Sequence, residues 1–190
     1  MKTAILILAA GNSRRMGTPK QLLKHGDTTM LGQVINNSLK SRASSVHVVL
    51  GAHANLIRPN LPKNISVIIN KEFEKGLSSS IIKGVTELQH YDSVIIALGD
   101  QPLVTSNYFN ELIELCIKKP NKIIASKYEK HNGVPAIFPS QFYSELLNLK
   151  GDTGAKSLLN SNYQLVQVIE TPVNLFDVDT PHDYELLNKN

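Results

Sequence analysis

Apolar positions along this chain fall into two alternating patterns. Short continuous runs bounded by glycine have the mark of strands covered on both faces, and stretches with apolar residues every three to four positions have the mark of helices. Thr3–Ala9 (TAILILA) is a run of the first kind, closing just before Gly11. Leu31, Val34, Ile35 and Leu39 keep helical spacing, and SVHVVLG (45–51) is a second strand ended by Gly51. ISVIIN (65–70) predicts a third strand, Ile81, Val85 and Leu88 mark a helix, and DSVIIALGD (92–100) predicts a fourth strand running into a Gly-Asp turn. A helix through Phe109 and Cys116 comes next, then strands KIIAS (122–126) and VPAIF (134–138) and helical stretches around FYSELLNL (142–149) and GAKSLLNS (154–161). A strand LVQVIE (165–170) and a last helix opened by DTPHDYELL (179–187) complete the pattern. This order predicts an α/β fold of three layers, an open and mostly parallel sheet with helices on both faces. No internal repeat, low-complexity tract or linker interrupts it, so residues 1–190 are expected to form a single domain.

In such sheets ligands bind beyond the carboxyl ends of the strands, so the residues just past each strand carry the chemistry. After the first come Gly11, Ser13, Arg14, Arg15, Gly17 and Lys20. Glycines let backbone N–H groups approach an anion, and the cations answer its charge. Asp100 stands after the fourth strand, and FDVDTP supplies Asp177 and Asp179 near the C-terminus. A cationic cradle with separated carboxylates matches a magnesium-bound nucleoside triphosphate, because magnesium takes oxygen ligands and bridges phosphates. Other phosphate loops fail on spacing: Gly11 and Gly17 do not make G-x-G-x-x-G, and GTPKQ lacks the Gly-Lys-Ser/Thr of a Walker A loop. Each residue also has a plainer reading. The cations can solvate a loop, Asp100 can serve a turn before Pro102, and Asp179 can cap the helix that Pro181 opens.

Composition narrows the classes. The apolar fraction is 42%, and 20 Lys and Arg against 16 Asp and Glu leave a net charge of +4, which favours anionic partners. No long basic block accompanies an aromatic stripe, so nucleic acid is not an expected partner. Cys116, the only cysteine, sits at helical spacing with Phe109, Leu112 and Ile113 and reads as a buried hydrophobe in a reducing compartment. Lys2 and the adjoining TAILILAA resemble a short secretory signal, but Arg14 and Arg15 come almost at once. With no apolar run near the length of a membrane span, a cytoplasmic protein without membrane association is expected. The six histidines form no i,i+4 pair and none lies beside the cysteine, so a histidine metal site is not expected; nor is a Gly-x-Ser-x-Gly elbow present.

LAAGNSRRMGTPKQLL resembles the signature loop of the nucleotidyltransferases that activate sugar phosphates, isoprenoid precursors and molybdopterin, LAAG-x-S-x-R-M-G-x-x-K-x-L. KGLSSSIIKGV, GDQPLV, NGVPAIFPSQFYSELLNLKGDTGAKSLL and the closing DVDTP narrow the likeness to the molybdenum cofactor cytidylyltransferases of the MobA-like NTP transferase group. The resemblance implies a Rossmann-like nucleotide-diphospho-sugar transferase fold and transfer of CMP from CTP to the phosphate of molybdopterin, with Mg2+ and release of pyrophosphate. It implies nucleotide binding by Leu8, Ala9, Ala10, Gly11, Ser13, Gly76, Ser79 and Ser80. Arg15 and Lys20 would act on the phosphates, with Arg14 facing solvent, and Asp100 and Asp179 would hold the metal, with Asp177 as the alternative second ligand. Gly133, Pro135, Gly151, Asp152 and Gly154 would face the acceptor, and a molybdoenzyme would be a partner. The alanines here are more like the cytidylyl than the guanylyl branch, which carries Gly-Gly in place of Ala9-Ala10 or Ala10-Gly11. A sugar phosphate or methylerythritol phosphate acceptor, or a non-catalytic cofactor-binding role, would share much of this pattern.

Overall fold

The computed structural model describes residues 1–161, 164–170 and 175–189. In chain order the elements are β1 (Thr3–Ala9), β2 (Lys24–His25), β3 (Thr28–Thr29), α1 (Met30–Leu39), β4 (Ser45–Leu50), α2 (Ala54–Ile57), β5 (Ser66–Ile69) and α3 (Leu77–Glu87). They continue as β6 (Ser93–Leu98), α4 (Ser106–Lys118), β7 (Ile123–Lys127), β8 (Asn132–Pro139), α5 (Tyr143–Leu147), α6 (Lys156–Ser161), β9 (Val166–Ile169) and α7 (Pro181–Leu187). Each strand and helix read from periodicity is present; the β2–β3 hairpin and the one-turn α2 are additions too short to leave a periodic signal.

Among the described residues one sheet runs β5-β4-β1-β6-β8-β7-β9. β1 lies between β4 and β6 and pairs parallel with both, which is why its apolar run is unbroken. Its side chains divide by the period of two. Ala4, Leu6 and Leu8 enter a core with Ile81 and Val85 of α3, Leu146 of α5 and Leu159 of α6. Ile5, Ile7 and Ala9 enter a second core with Leu31, Val34 and Ile35 of α1 and Phe109, Leu112 and Cys116 of α4. Helices therefore cover both faces, and Cys116 is a buried member of the second core whose thiol burial pushes up to about 11.

β8 alone runs antiparallel to its neighbours β6 and β7. The turn through residues 128–131 is too short for a crossover, so β7 and β8 can only form a hairpin, and β8 fills the gap the chain leaves beside β6. The chain first builds outward from β1 through β4 to β5, then returns to the other side of β1 with β6. The loops after β1 and β6 consequently part in opposite directions and open a crevice at the carboxyl end of the sheet.

A third, smaller cluster sets the C-terminal segment against this crevice. Met30, Val178 and Leu187 are buried together with Leu23, Phe176 and Tyr184 packed on them, and Tyr184 Oη donates to the Lys24 carbonyl at 2.6 Å. No helix among the described residues is long and apolar enough to cross a membrane.

Gly84 of α3 crosses β1 so closely that a Cβ there would stand 2.4 Å from Leu6 Cδ2. Gly84→Val is expected to lower stability by about 1–3 kcal/mol through overpacking, read from the urea midpoint at unchanged m-value.

Candidate active site

The loop that leaves β1 is shaped from beneath by one side chain. Gln21 is buried, and its Nε2 donates to the carbonyls of Ala9 at 3.3 Å and Gly11 at 3.2 Å. Its Oε1 accepts from Ser13 Oγ at 3.3 Å, and Ser13 Oγ in turn accepts from the Lys20 N–H at 3.2 Å. Ser13 sits at φ 52, a left-handed backbone that costs a non-glycine residue free energy, and this network holds it there. With its carbonyls satisfied from below, the loop presents main chain and cations to the crevice.

Lys20 is the centre of the charge arrangement. Its Nζ donates to Asp100 Oδ2, to Asp179 Oδ1 at 2.8 Å and to the Val178 carbonyl at 3.1 Å. The Lys20 and Asp100 side chains keep only 15% and 16% of their exposure, so solvent screens this pair little. Arg15, 68% exposed, donates through Nη2 to Asp179 Oδ2 at 2.8 Å. Asp100 comes from the turn after β6; Asp179 comes from the strap before α7, whose Val178 N–H bonds the Asp100 carbonyl at 3.2 Å. The capping reading for Asp179 does not hold. Thr180 is the N-cap of α7, in a reciprocal box with Asp183, with Pro181 in the first turn, which leaves the Asp179 carboxylate free for the site.

These contacts set the titration of the cluster. Burial opposes the charge on Lys20, but Asp100 and then Asp179 outweigh it and its pKa is raised. Burial likewise opposes ionisation of Asp179, and Lys20 together with Arg15 reverses that, leaving its pKa lowered. Asp177 goes the other way, to about 6: desolvation acts first, then the charges of Asp100 and Asp179, against the Gln101 hydrogen bond and Lys20. Much of Asp177 is open at the rim, yet its Oδ1 faces inward onto the buried Gln101 Nε2 at 2.7 Å. Gln101 Nε2 also donates to Tyr128 Oη at 2.7 Å, tying the rim to the β7–β8 hairpin.

A cleft of about 750 Å³ joins these groups to the sheet edge. Of the residues expected to bind nucleotide, Leu8, Ala9, Ala10, Gly11, Gly76 and Ser80 line it, as do Lys20, Asp100, Asp177 and Asp179. Arg14, expected to face solvent, lines it as well, while Arg15 reaches the group only through Asp179. Ser13 acts on the loop from behind, through Gln21 and Lys20. Ser79 is turned to a neighbouring cleft: its hydroxyl donates to the Gly76 carbonyl at 2.8 Å and accepts from Asn70 Nδ2 at 2.9 Å. None of Ser78, Ser79 and Ser80 is the N-cap of α3, a place Gly76 holds without a side-chain bond. α3 is capped from the distant GDTGA segment, where Asp152 Oδ1 accepts from Leu77 N at 3.1 Å and the Gly151 carbonyl from Ser78 N at 3.1 Å.

The residues expected at the acceptor do not all line one cleft. Gly133 lies in β8 against the Tyr128 ring, Pro135 in the same strand, Gly151 on the neighbouring cleft and Gly154 against Leu77, whereas Asp152 lines the main cleft. Gln21, Gln101, Tyr128 and Phe73 belong to the site or its support and do not stand out in the sequence. Only Gln21 leaves a trace there, a polar side chain where the chain returns to the core at Leu22 and Leu23.

A divalent cation fits this donor set. Asp100 Oδ1 is buried without a partner among the described residues, and it and Asp179 are carboxylate oxygens, the ligands of a hard cation. No group of three His, Cys, Asp or Glu among the described residues is arranged to hold a metal ion, which suits an ion whose remaining ligands come from substrate phosphates and water. Lys20 Nζ lies between the two carboxylates.

A cationic loop after the first strand of an α/β sheet faces two carboxylates across a switch point, the arrangement that the likeness to nucleotidyltransferases implies. The comparisons with known proteins agree: residues 5–168 match the MobA-like NTP transferase domain, and the chain belongs to that family. It is 31% identical over 198 residues to the purine catabolism protein PucB of Bacillus subtilis (strain 168), covering 97% of this chain and 95% of that protein. The crystal structure of the Rv0371c homologue from Mycobacterium sp. strain JC1 superposes with a TM-score of 0.88 at 31% identity, covering 98% of this chain and 96% of that one. Rv0371c of Mycobacterium tuberculosis H37Rv in complex with manganese gives a TM-score of 0.86 at 25% identity over 100% of both chains.

Two measurements test the electrostatics. Removing the ammonium in Lys20→Ala is expected to tighten Mn2+ binding to the free protein about tenfold or more, monitored by loss of the free-ion EPR signal. Asp177 is raised in the fold, so its ionisation between about pH 4 and pH 6 lowers folded-state stability. Asp177→Asn escapes that loss, so its melting temperature relative to the parent protein should rise from pH 4 to pH 7.

Proposed function

We propose that this nucleotidyltransferase moves a cytidylyl group from CTP to the terminal phosphate of a molybdopterin-type acceptor, with Mg2+ as the metal and pyrophosphate as the product. The observation that carries the reading is the convergence of Lys20, Asp100 and Asp179, from three distant parts of the chain, in the cleft that also holds the LAAG backbone. The sequence likeness to molybdenum cofactor cytidylyltransferases supplies the acceptor and the nucleotide.

In this reading an oxygen of the acceptor phosphate attacks the α-phosphorus in line, and the bond from that phosphorus to the bridging oxygen of the β-phosphate breaks. A phosphate monoester with a second pKa near 6 is already largely a dianion at neutral pH, so no side chain has to remove a proton. Catalysis falls to positioning and charge. The Leu8–Gly11 backbone receives the nucleoside, and Lys20, released from the carboxylates, with Arg14 and Arg15 offsets charge growing on the departing pyrophosphate. Asp100 and Asp179 would hold the magnesium ion, which supplies Lewis-acid stabilisation of the phosphoryl oxygens when bound. The chain is taken as one catalytic domain of the cytoplasm that passes its product to a molybdoenzyme.

The test is pyrophosphate release with CTP, GTP, ATP and UTP, each with molybdopterin and Mg2+. CTP is expected to lead, and Lys20→Ala and Asp100→Asn each to lose about a hundredfold or more in rate while keeping the native circular dichroism. Near-normal turnover in either variant sinks the assignment of those residues. Release with a sugar phosphate but not molybdopterin reassigns the acceptor, and tight molybdopterin binding with no release from any triphosphate makes the protein a carrier.

A further inference from the structure

We infer that Asp152 reads the nucleobase and selects one that offers an exocyclic amino group, an inference that rests on the cleft holding a nucleoside triphosphate. The groups lining the cleft differ in chemistry. Lys20, Asp100 and Asp179 are joined by ion pairs with Asp177 beside them, whereas Asp152 bonds the Leu77 N–H next to Gly76; Arg14 and Lys20, both from the loop after β1, are the cations that line the cleft. With a metal ion on Asp100 and Asp179, as proposed above, that ion together with Lys20 and Arg14 would draw the triphosphate, and the base would then lie toward Phe73, Leu77 and Asp152, where an aromatic ring and aliphatic carbon offer it apolar surface.

There Asp152 is the anchored acceptor. Its Oδ1 is held on Leu77 N, and a Cβ at Gly76 would stand 2.5 Å from that oxygen. Gly76, at φ +99, is the residue that lets the carboxylate lie against the main chain there. Oδ2 makes no hydrogen bond among the described residues and remains for a ligand. Glu74 lines the cleft and is exposed, as Asp152 is, but makes no hydrogen bond or ion pair among the described residues, and Ser80 Oγ already accepts from Asn70 Nδ2 at 3.0 Å.

An ionised carboxylate only accepts hydrogen bonds. Cytosine offers it the N4 amino group; uracil offers O4, an acceptor facing an acceptor. A site that must pair with a donor rejects the isostere lacking it, because its own polar atom is then left without a partner. The GDTGA segment, which the family likeness placed at the acceptor, thus serves the nucleotide through Asp152.

The experiment is calorimetric binding of CTP and UTP with Mg2+ to the parent protein, to Asp152→Asn and to Asp152→Ala. Asn keeps an oxygen for Leu77 N and turns an amide donor outward. The parent is expected to bind CTP at least about tenfold more tightly than UTP. Asp152→Asn should abolish or invert that ratio, and Asp152→Ala should reduce it toward one. A CTP:UTP ratio unchanged in both variants, or a parent that binds CTP and UTP equally, overturns the role of Asp152 and leaves the nucleotidyltransferase reading standing. No binding of CTP, UTP, ATP or GTP by the parent overturns both.

Discussion

The site depends on one ammonium group held between two carboxylates. Lys20 links the loop after β1 to Asp100 after β6 and to Asp179 before α7, and so ties together three segments that meet nowhere else in the sequence. Two carboxylates brought this close would repel one another, and the cation between them removes that cost. The same arrangement is poised for exchange. In the proposed reaction a metal-bound triphosphate would offer a cation to Asp100 and Asp179 and anions to Lys20, each group exchanging one partner for another of like charge.

Around this point the fold supplies geometry. The reversal of chain direction on either side of β1 opens the crevice, the buried Gln21 shapes its floor, and the small cluster of Met30, Val178 and Leu187 presses the C-terminal strap onto it. That third cluster lies outside the two cores that flank the sheet, yet it decides where Asp179 sits. The capping box of Thr180 and Asp183 relieves Asp179 of a structural duty that its position beside Pro181 would otherwise give it. Asp152 shows the reverse case: the carboxylate that caps α3 comes from far along the chain, because Gly76 has no side chain to offer.

Much of the architecture was legible in the sequence because strands and helices are each written in a local period. A strand buried on both faces must be continuously apolar, as Thr3–Ala9 is, and a helix covering a sheet must repeat its apolar face, as Phe109, Leu112 and Cys116 do. The direction of β8 was less evident, since periodicity carries no sign; only the length of the turn before it fixed the hairpin. The cationic loop was legible through its composition, but which contact each arginine makes was not: Arg14 lines the cleft and Arg15 pairs with Asp179, because neighbouring residues in a tight turn point in different directions.

Sequence by itself determined the alternation of elements, the three-layer class, the position of the cationic loop and the types of side chain it and the acidic turns present, all properties of short segments. Tertiary structure alone decided which of them meet. It set Lys20 between Asp100 and Asp179, moved Ser79 out of the cleft, and brought Asp152 to the cleft that the cations line. Contacts between residues up to 164 positions apart arise from sheet order and packing. No local period encodes them, since a side chain's partner across a crevice is fixed by the path of the whole chain.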